Sequence, residues 1–284
     1  MTSTVDTPRV VFDMPDPEYR RVPALSYSGA KKLLPPSTPA HYRWEMDHGR
    51  PPKRAFDLGH AAHMIVLGAG AELVVVDADS YRTKAAQEAR DAAYDAGKVP
   101  LLPAEYQAAS AMADAVRSHP VAGRLFTAGR PEVSMFWTDP VTGVAWKGRI
   151  DWLRDPHPGR PTIAVDLKTT NTAHPIVLPK TVDDYSYHLQ DAVYEDGLNA
   201  SGLGANGVAF IFVFVEKEPP HCVSVGQVDP DDVAMGRVLA QRAAEIWRDC
   251  NETGIWPAYQ AEIHTITLPA WARRKHEGTL LNDY

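Results

Sequence analysis

Cysteine is scarce in this sequence, with only Cys222 and Cys250 among 284 residues. Two cysteines cannot build a disulfide framework or a four-cysteine metal site. Long apolar runs are missing too, because no stretch reaches the eighteen residues of a membrane span, and the N-terminus lacks the pattern of a signal peptide. We therefore expect a cytoplasmic protein that is neither secreted nor inserted in a membrane.

An excess of positive charge is also absent, since the formal net charge is −7 at pH 7. A protein that contacts many nucleic-acid phosphates draws on lysine and arginine. The distribution of charge says more than its total, however. Basic residues cluster at Lys31-Lys32, at residues 50–54 and at Arg273-Arg274-Lys275. A nucleic-acid ligand would thus need a narrow channel, or one assembled in an oligomer, rather than a broad basic face.

Two short apolar segments carry acidic residues in an informative arrangement. Residues 144–153 read VAWKGRIDWL and residues 162–167 read TIAVDL, and the Pro/Gly-rich turn RDPHPGRP separates them. Both segments are typical of β-strands. Neighbouring strands would hold Asp151 and Asp166 close enough to share a divalent cation, and the two-residue period of a strand places Lys168 on the same face as Asp166.

These residue types suit hydrolysis of a phosphodiester. Mg²⁺ prefers carboxylate and carbonyl oxygens, and a bound ion can clamp a phosphate and lower the pKa of a bound water. Lys168 would position or deprotonate the water, or stabilise the developing charge. The alternative is purely structural: both aspartates end strands, and the lysine reaches into solvent.

Asp151 followed by Asp166-x-Lys168 resembles the PD-(D/E)xK nuclease superfamily, and more closely its exodeoxyribonuclease VIII-like and RecB-type recombination exonucleases. Further segments follow in the order expected of that group. They are LSYSGAKKLL at 25–34, PAHY at 39–42, GHAAH at 59–63, EVSMFW at 132–137 and QDAVY at 190–194. The resemblance covers about residues 22 to 215.

The resemblance implies an α/β restriction-endonuclease-like core, with a mixed central β-sheet flanked by helices. It implies one or two Mg²⁺ or Mn²⁺ ions, while the cysteine count separates this chain from the iron–sulfur members of the superfamily. Asp151, Asp166, His63 and the carbonyl of Leu167 would hold metal. Lys168 and Gln190 would complete the catalytic set, and Glu132 would lie near the metal.

Local patterns give these residues structural interpretations as well. His63 falls on a predicted helix at about 55–68, on the same face as Gly59, whose missing side chain leaves room for a ligand or strand. The helix carries an apolar stripe, so the histidine could equally be a core residue. His60 is expected at the surface or behind the ligands.

Gln190 and Tyr194 are four residues apart on a helix predicted from about Asp184 to Gly197. They could face the metal site and contact substrate, or simply pack on the sheet. Glu132 could be only an exposed strand residue. Ser26 and Ser28 precede AKKLL and suit a helix N-cap, which could also receive a DNA phosphate beside Lys31 and Lys32.

The remaining patterns set the domain organisation. Residues 1–21 are predicted to be extended or mobile, and residues 22–284 to form a single nuclease domain. Within it we expect two short helices at 26–50, a strand at 72–77 and an insertion of two helices at about 80–120 that forms a lid over DNA. The apolar run 208–215 is predicted at the sheet centre, and a helical extension at about 230–284, with a long helix at 230–253, ends in a basic and aromatic segment that contacts DNA or a neighbouring subunit.

The functional prediction is a metal-dependent deoxyribonuclease. The resemblance implies that it degrades linear double-stranded DNA from its ends, in phage or prophage recombination or repair. It also implies a single-strand annealing protein as partner and a ring-like homo-oligomer. Two alternatives stay open: an endonuclease or single-strand-specific nuclease on the same core, and a non-catalytic DNA-end-binding protein.

Overall fold

The computed structural model describes residues 7–49 and 54–282. Two predictions fall partly outside the described residues. They concern the side chains of the basic cluster at 50–54 and residues 1–6 of the N-terminal segment. The strands are β1 Arg9–Val11, β2 Leu25–Ser26, β3 Leu73–Val75, β4 Val99–Leu101, β5 Gly129–Thr138, β6 Ala145–Arg154, β7 Thr162–Thr170, β8 Val208–Glu216 and β9 Val223–Gly226. The helices are α1 Asp16–Arg21, α2 Tyr27–Leu33, α3 Pro39–His48, α4 Arg54–Leu67, α5 Lys84–Asp95, α6 Pro103–Ser118, α7 Ala122–Leu125, α8 Leu178–Tyr185, α9 Tyr187–Ala200, α10 Pro230–Thr253 and α11 Ala270–Asn282.

A mixed sheet forms the centre of the fold, in the strand order β1-β5-β6-β7-β8-β9, with β2 paired to β6. Strands β7 and β8 run parallel, as do β2 and β6, whereas the other pairs in this sheet are antiparallel. A second, two-stranded sheet pairs β3 with β4. The predicted mixed α/β core with flanking helices is confirmed.

Helices cover both faces of the central sheet. Helices α2, α9 and α10 pack on one face around Phe210, Phe212 and Phe214, and helices α4 and α6 pack on the other around Val213 and Val215. Strand β8 therefore alternates between two apolar cores, which explains its uninterrupted hydrophobic run. It lies next to the edge strand β9, which the sequence did not predict, rather than at the centre of the sheet.

Two predictions about the chain's periphery are wrong. Residues 1–21 are predicted to be extended or mobile, but the extended residues 9–11 are fixed to β5 as strand β1 and residues 16–21 form the helix α1. Helix α6 is not part of a lid, since Ala109, Met112 and Val116 are fully buried in the core that α4 and the sheet share. Burial of an alanine-rich face makes α6 a structural layer of the domain.

Other predicted elements occur with shifted boundaries. Two short helices, α2 and α3, flank the Pro-rich break as expected, and α4 and α10 match their predicted helices. The helix predicted from Asp184 is two helices, because Ser186 adopts a left-handed conformation with φ 57° that separates α8 from α9. No helix of the described chain combines the length and apolar character needed to span a bilayer.

Candidate active site

The pairing of β6 with β7 brings the two predicted carboxylates together. Trp152 lies opposite Val165 in the antiparallel register, so Asp151 and Asp166 occupy the next pair of positions. The Asp151 Oδ2 atom accepts a hydrogen bond of 2.8 Å from the backbone N–H of Leu167. This bond fixes one carboxylate to the strand that carries the other.

Both oxygens of Asp166 have a partner. Gln190, from α9, donates its amide N–H to Oδ1, and the Lys168 Nζ atom lies 2.6 Å from Oδ2. Asp166 and Gln190 are each only 2% exposed. The buried amide thus belongs to the carboxylate site, as the sequence predicted, rather than to a purely apolar helix face.

Lys168 is enclosed by aromatic rings and carboxylates. Its Nζ atom lies 4.7 Å from the centre of the Tyr187 ring. Burial alone would lower the pKa of Lys168, but the neighbouring charges, chiefly Asp166 and to a lesser extent Asp151, outweigh it and raise the pKa above the ordinary value. The side chain is therefore an ammonium ion at neutral pH.

His63 approaches Asp151 from α4. Its Nδ1 atom lies 3.4 Å from Asp151 Oδ2, and it is hydrogen-bonded to the Leu167 backbone. Gly59, one turn earlier, lies where a Cβ atom would come 3.2 Å from the Thr169 hydroxyl, so the glycine lets α4 approach β7. Burial lowers the pKa of His63, against the raising effect of Asp166, and favours the neutral imidazole that binds metal.

Glu132 faces Asp151 across the β5–β6 pair. Pro131 pairs with Trp152 and Val133 with Ile150, and between them Glu132 has a left-handed backbone with φ 52°. That conformation is strained for a non-glycine residue. Burial and the charge of Asp151 raise the pKa of Glu132 to about 7, although Arg149 at 3.5 Å opposes them.

A cavity of about 310 Å³ adjoins the carboxylates, Lys168 and Gln190, whereas His63 does not line it. Predicted residues on its wall are Ser26, Ser28, Glu132, Asp151, Asp166, Lys168, Gln190 and Tyr194, and residues that the sequence did not single out are Tyr19, Tyr27 and Arg149. Ser26 also caps α2 by accepting from the Gly29 N–H at 3.3 Å, so its structural role is present. The Tyr194 ring packs over Gly148, where a Cβ atom would come within 3.2 Å.

Lys31 and Lys32 lie away from the cavity wall. Lys31 donates to the Asp184 carbonyl at 3.0 Å, and Lys32 forms an ion pair with Glu45. The predicted phosphate role of these two lysines is therefore not supported by their placement. His60 is exposed, in agreement with its surface prediction.

Two cavity residues that the sequence did not single out, Tyr19 and Arg149, are positioned by contacts of the N-terminal segment. Arg149 lies with its guanidinium 4.3 Å from the Tyr19 ring, and its Nη2 donates to the Met14 carbonyl at 3.0 Å. Lys147 donates to the carbonyls of Tyr19, Arg20 and Val22 at 3.1, 3.2 and 2.8 Å. These bonds satisfy the end of α1 and place Tyr19 on the cavity wall. The signal available in the sequence was the pair of cations in KGRID beside Asp151.

The donor types suit a hard divalent cation. Asp151 and Asp166 supply carboxylates, Leu167 a carbonyl and His63 a neutral imidazole. Burial and the charge of Asp166 raise the pKa of Asp151 well above its usual range, so a cation would relieve an unfavourable concentration of negative charge. Among the described residues, however, no three acidic, histidine or cysteine side chains lie close enough together to hold a metal ion. The Lys168 Nζ atom pairs with Asp166 Oδ2, so a cation bound to that oxygen would compete with this ion pair.

Asp191, next to Gln190, is a buried carboxyl group whose ionisation destabilises the folded protein. It is 2% exposed, and its Oδ1 atom has no hydrogen-bond partner among the described residues. Burial and the neighbouring Glu195 raise its pKa to about 8, against the opposing effect of Arg237. In the unfolded chain the carboxyl ionises near the ordinary value of 3.8.

Asp191→Asn should therefore flatten the dependence of stability on pH. A raised folded pKa means that folding takes up a proton between about pH 4 and pH 8, so wild-type stability falls across that interval and levels above it. We expect the variant to gain melting temperature over wild type as pH rises to 8, with little difference at pH 4, measured by thermal denaturation. Asp155→Asn, on an exposed turn, is the matched control; an equal gain there would contradict the assignment to Asp191.

Comparison with known proteins identifies the family. The family described as "PDDEXK-like domain of unknown function (DUF3799)" matches residues 26–268. The chain belongs to this PDDEXK-like family. The match includes every predicted site residue, from Ser26 to Tyr194. Members of the PDDEXK class are generally dependent on divalent metal, in agreement with the donor types found here.

One solved structure supports the fold. The crystal structure of a "putative exonuclease" from Eubacterium rectale is 16% identical, with a TM-score of 0.57, over 90% of this chain and 93% of that one. The structure of SSO0001 is also 16% identical, over 72% of this chain and 95% of its own, but its TM-score of 0.31 is too low to establish a common fold. No curated protein matches the sequence. The PDDEXK-like fold indicates a nuclease and hence a hydrolytic enzyme.

Proposed function

We propose that this PDDEXK-like protein is a Mg²⁺- or Mn²⁺-dependent deoxyribonuclease that degrades linear double-stranded DNA from its ends. The observation that carries the proposal is the convergence of Asp151, Asp166, Lys168 and Gln190 on one cavity. A binding protein would have no need of a buried ammonium ion held against paired carboxylates. The similar fold of the Eubacterium rectale protein supports the exonuclease form of the proposal.

The metal would be held by Asp151, Asp166, the Leu167 carbonyl and His63, and when bound it would supply charge neutralisation at the phosphate and a more acidic water. Gln190 keeps Asp166 oriented by donating to Oδ1. The other oxygen, Oδ2, pairs with Lys168 and is the one that could bind metal instead. The Leu167 N–H likewise keeps Asp151 oriented. These bonds preorganise the ligands before substrate arrives.

Lys168 acts on the phosphate as a cation. The neighbouring carboxylates raise the pKa of Lys168 and so favour its ammonium form, and of the roles predicted from the sequence we therefore assign the electrostatic one. The ion pair between Asp166 and Lys168 would weaken with a cation held by Asp166, and the Lys168 Nζ atom would then be available to donate to the non-bridging oxygens of the phosphate and to the attacking water. Stabilisation of developing charge in a buried site is the largest contribution that such a group makes.

The proposed biological setting is phage or prophage recombination or repair, with a single-strand annealing protein as partner. Resection of a duplex end leaves a single strand, which is the substrate that an annealing protein takes.

Digestion of linear 5′-phosphorylated duplex beside covalently closed circular duplex, with Mg²⁺ or with EDTA, tests the proposal. We expect loss of the linear DNA only, and only with metal. Cutting of the circle would replace the exonuclease by an endonuclease, and preferred digestion of single strands would replace the duplex substrate. DNA binding without cleavage under any metal would favour the non-catalytic end-binding protein.

A further inference from the structure

The chain after α10 forms an extended arm, defined here as residues 260–282. Its root is fixed to the domain: the Trp256 ring stacks on Tyr42 at 5.6 Å, and the Pro257 carbonyl accepts from the Ala40 N–H at 3.0 Å. Beyond the root, residues 260–268 have no backbone hydrogen bond to another element among the described residues. The arm leaves the domain from an ordered point of attachment.

The side chains of the arm are those of an interface. Ile263 is 103% exposed and Ile266 is 94% exposed, and Leu268 and Trp271 are also exposed. Isolated apolar residues are common on protein surfaces, but four within nine residues form a contiguous apolar segment. The sequence EIHTITL at 262–268 is also rich in β-branched residues, which favour an extended backbone packed on another surface. Arg273 and Arg274 follow it, both exposed.

Helix α10 carries a matching surface, which we call the receiving face: Asp231, Asp232, Met235, Val238 and Leu239. These residues recur at three- and four-residue intervals and so share one side of the helix. Met235 is 61% exposed and Val238 is 68% exposed. The buried side of α10 is packed closely: Ala240 and Ala243 lie in the core, and a Cβ atom at Gly236 would come 2.2 Å from the His188 carbonyl. The receiving face is therefore a fixed apolar platform with two acidic residues at its start.

We propose that the arm of one copy of this chain binds the receiving face of a second copy. The two surfaces are complementary in character, because an apolar segment followed by Arg273 and Arg274 meets an apolar stripe preceded by Asp231 and Asp232. The four large apolar side chains of the arm and the apolar side chains of the receiving face are exposed within a single chain, although Ala272 of the arm is buried, and exchange between copies would bury them together. The apolar side chains point to a protein partner rather than DNA, whose backbone offers charge but little apolar surface. A head-to-tail contact of this kind generates a ring when it closes.

Sedimentation of the full chain tests the proposal. Wild type should sediment as more than one chain, and Ile263→Asp/Ile266→Asp should raise the dissociation constant at least about 100-fold, because two buried isoleucines are replaced by charges. Val141→Asp/Ile176→Asp is the matched control, since Val141 is 72% and Ile176 is 83% exposed outside both surfaces. Circular dichroism and melting temperature verify folding in every variant.

A mixing experiment separates exchange from other modes of association. Met235→Asp/Val238→Asp should also sediment as single chains, but it keeps an intact arm, whereas Ile263→Asp/Ile266→Asp keeps an intact receiving face. An equal mixture of the two should form a two-chain particle. Charge reversal gives a second readout: Arg273→Glu/Arg274→Glu weakens association at least about tenfold, and adding Asp231→Lys/Asp232→Lys restores it.

Three results would overturn the proposal: a wild-type protein that is a single chain at every concentration, arm variants with wild-type mass, or no complementation on mixing. If arm variants of wild-type mass also lost DNA binding, the arm would be a DNA contact instead. None of these measurements depends on nuclease activity, so the inference is independent of the proposed function.

Discussion

Lys168→Ala is expected to lower the rate of DNA cleavage by about 10³-fold while the protein still binds divalent metal and DNA. Removing one preorganised charge-stabilising group from a buried site typically costs about 10²–10³ in turnover. Metal affinity should be unchanged or higher, because the ammonium that pairs with Asp166 at 2.6 Å competes with a cation for the same oxygen. Single-turnover digestion measures the rate, and calorimetric Mn²⁺ titration measures the affinity.

The matched control for this variant is Lys84→Ala. Lys84 also pairs with a carboxylate, Glu88, at 3.6 Å, but its side chain is 90% exposed on α5. Cleavage by that variant should stay within about twofold of wild type, since exposed ion pairs contribute little. Near-normal cleavage by Lys168→Ala would refute the role given to the lysine. Loss of metal binding together with activity would mean that Lys168 maintains the site rather than acting on the phosphate.

Asp151→Asn and Asp166→Asn should shift thermal stability in opposite directions in the absence of metal. Burial and the charge of Asp166 raise the pKa of Asp151 well above its usual range, so the neutral amide should stabilise the protein. The amide oxygen can still accept from the Leu167 N–H. Asp166→Asn should destabilise the protein, because it leaves the partly buried ammonium of Lys168 without its closest counter-charge. For a domain of this size, about 1 kcal/mol corresponds to roughly 2 °C in melting temperature.

The way in which the stability of these two variants depends on pH and on metal tests the assigned roles of Asp151 and Asp166. A raised folded pKa lowers wild-type stability as pH rises above the ordinary value, so the advantage of Asp151→Asn should vanish near pH 4 and grow towards neutral pH. Adding Mn²⁺ should raise the melting temperature of wild type and of Lys168→Ala. It should change the melting temperature of either asparagine variant very little. Scanning calorimetry with and without Mn²⁺ measures all four proteins. Equal stabilisation of the asparagine variants by Mn²⁺ would place the metal elsewhere.

Much of the candidate site was predictable because its signals are local. The alternation of a strand places Asp166 and Lys168 on one face, and the Pro/Gly turn between β6 and β7 makes Asp151 their neighbour. Gly59 and His63, and Gln190 and Tyr194, are separated by one helical turn, so each pair shares a face wherever the helix packs. The Val208–Val215 strand was also predictable, since only a strand covered on both faces is apolar at every position.

The sequence by itself determined which chemical groups the candidate site contains: the carboxylates, lysine, histidine and glutamine, their order, and the strands and helices that carry them. The tertiary structure alone decided which groups share the cavity. Tyr19 and Arg149 enter it because Lys147 binds the end of α1 across more than a hundred residues of chain, and Lys31 and Lys32 are excluded from it by partners on α8 and α3. Periodicity reports only neighbours within one element, whereas the packing of α6 as a core layer, the pairing of β9 and the exposure of the C-terminal arm depend on contacts between distant segments.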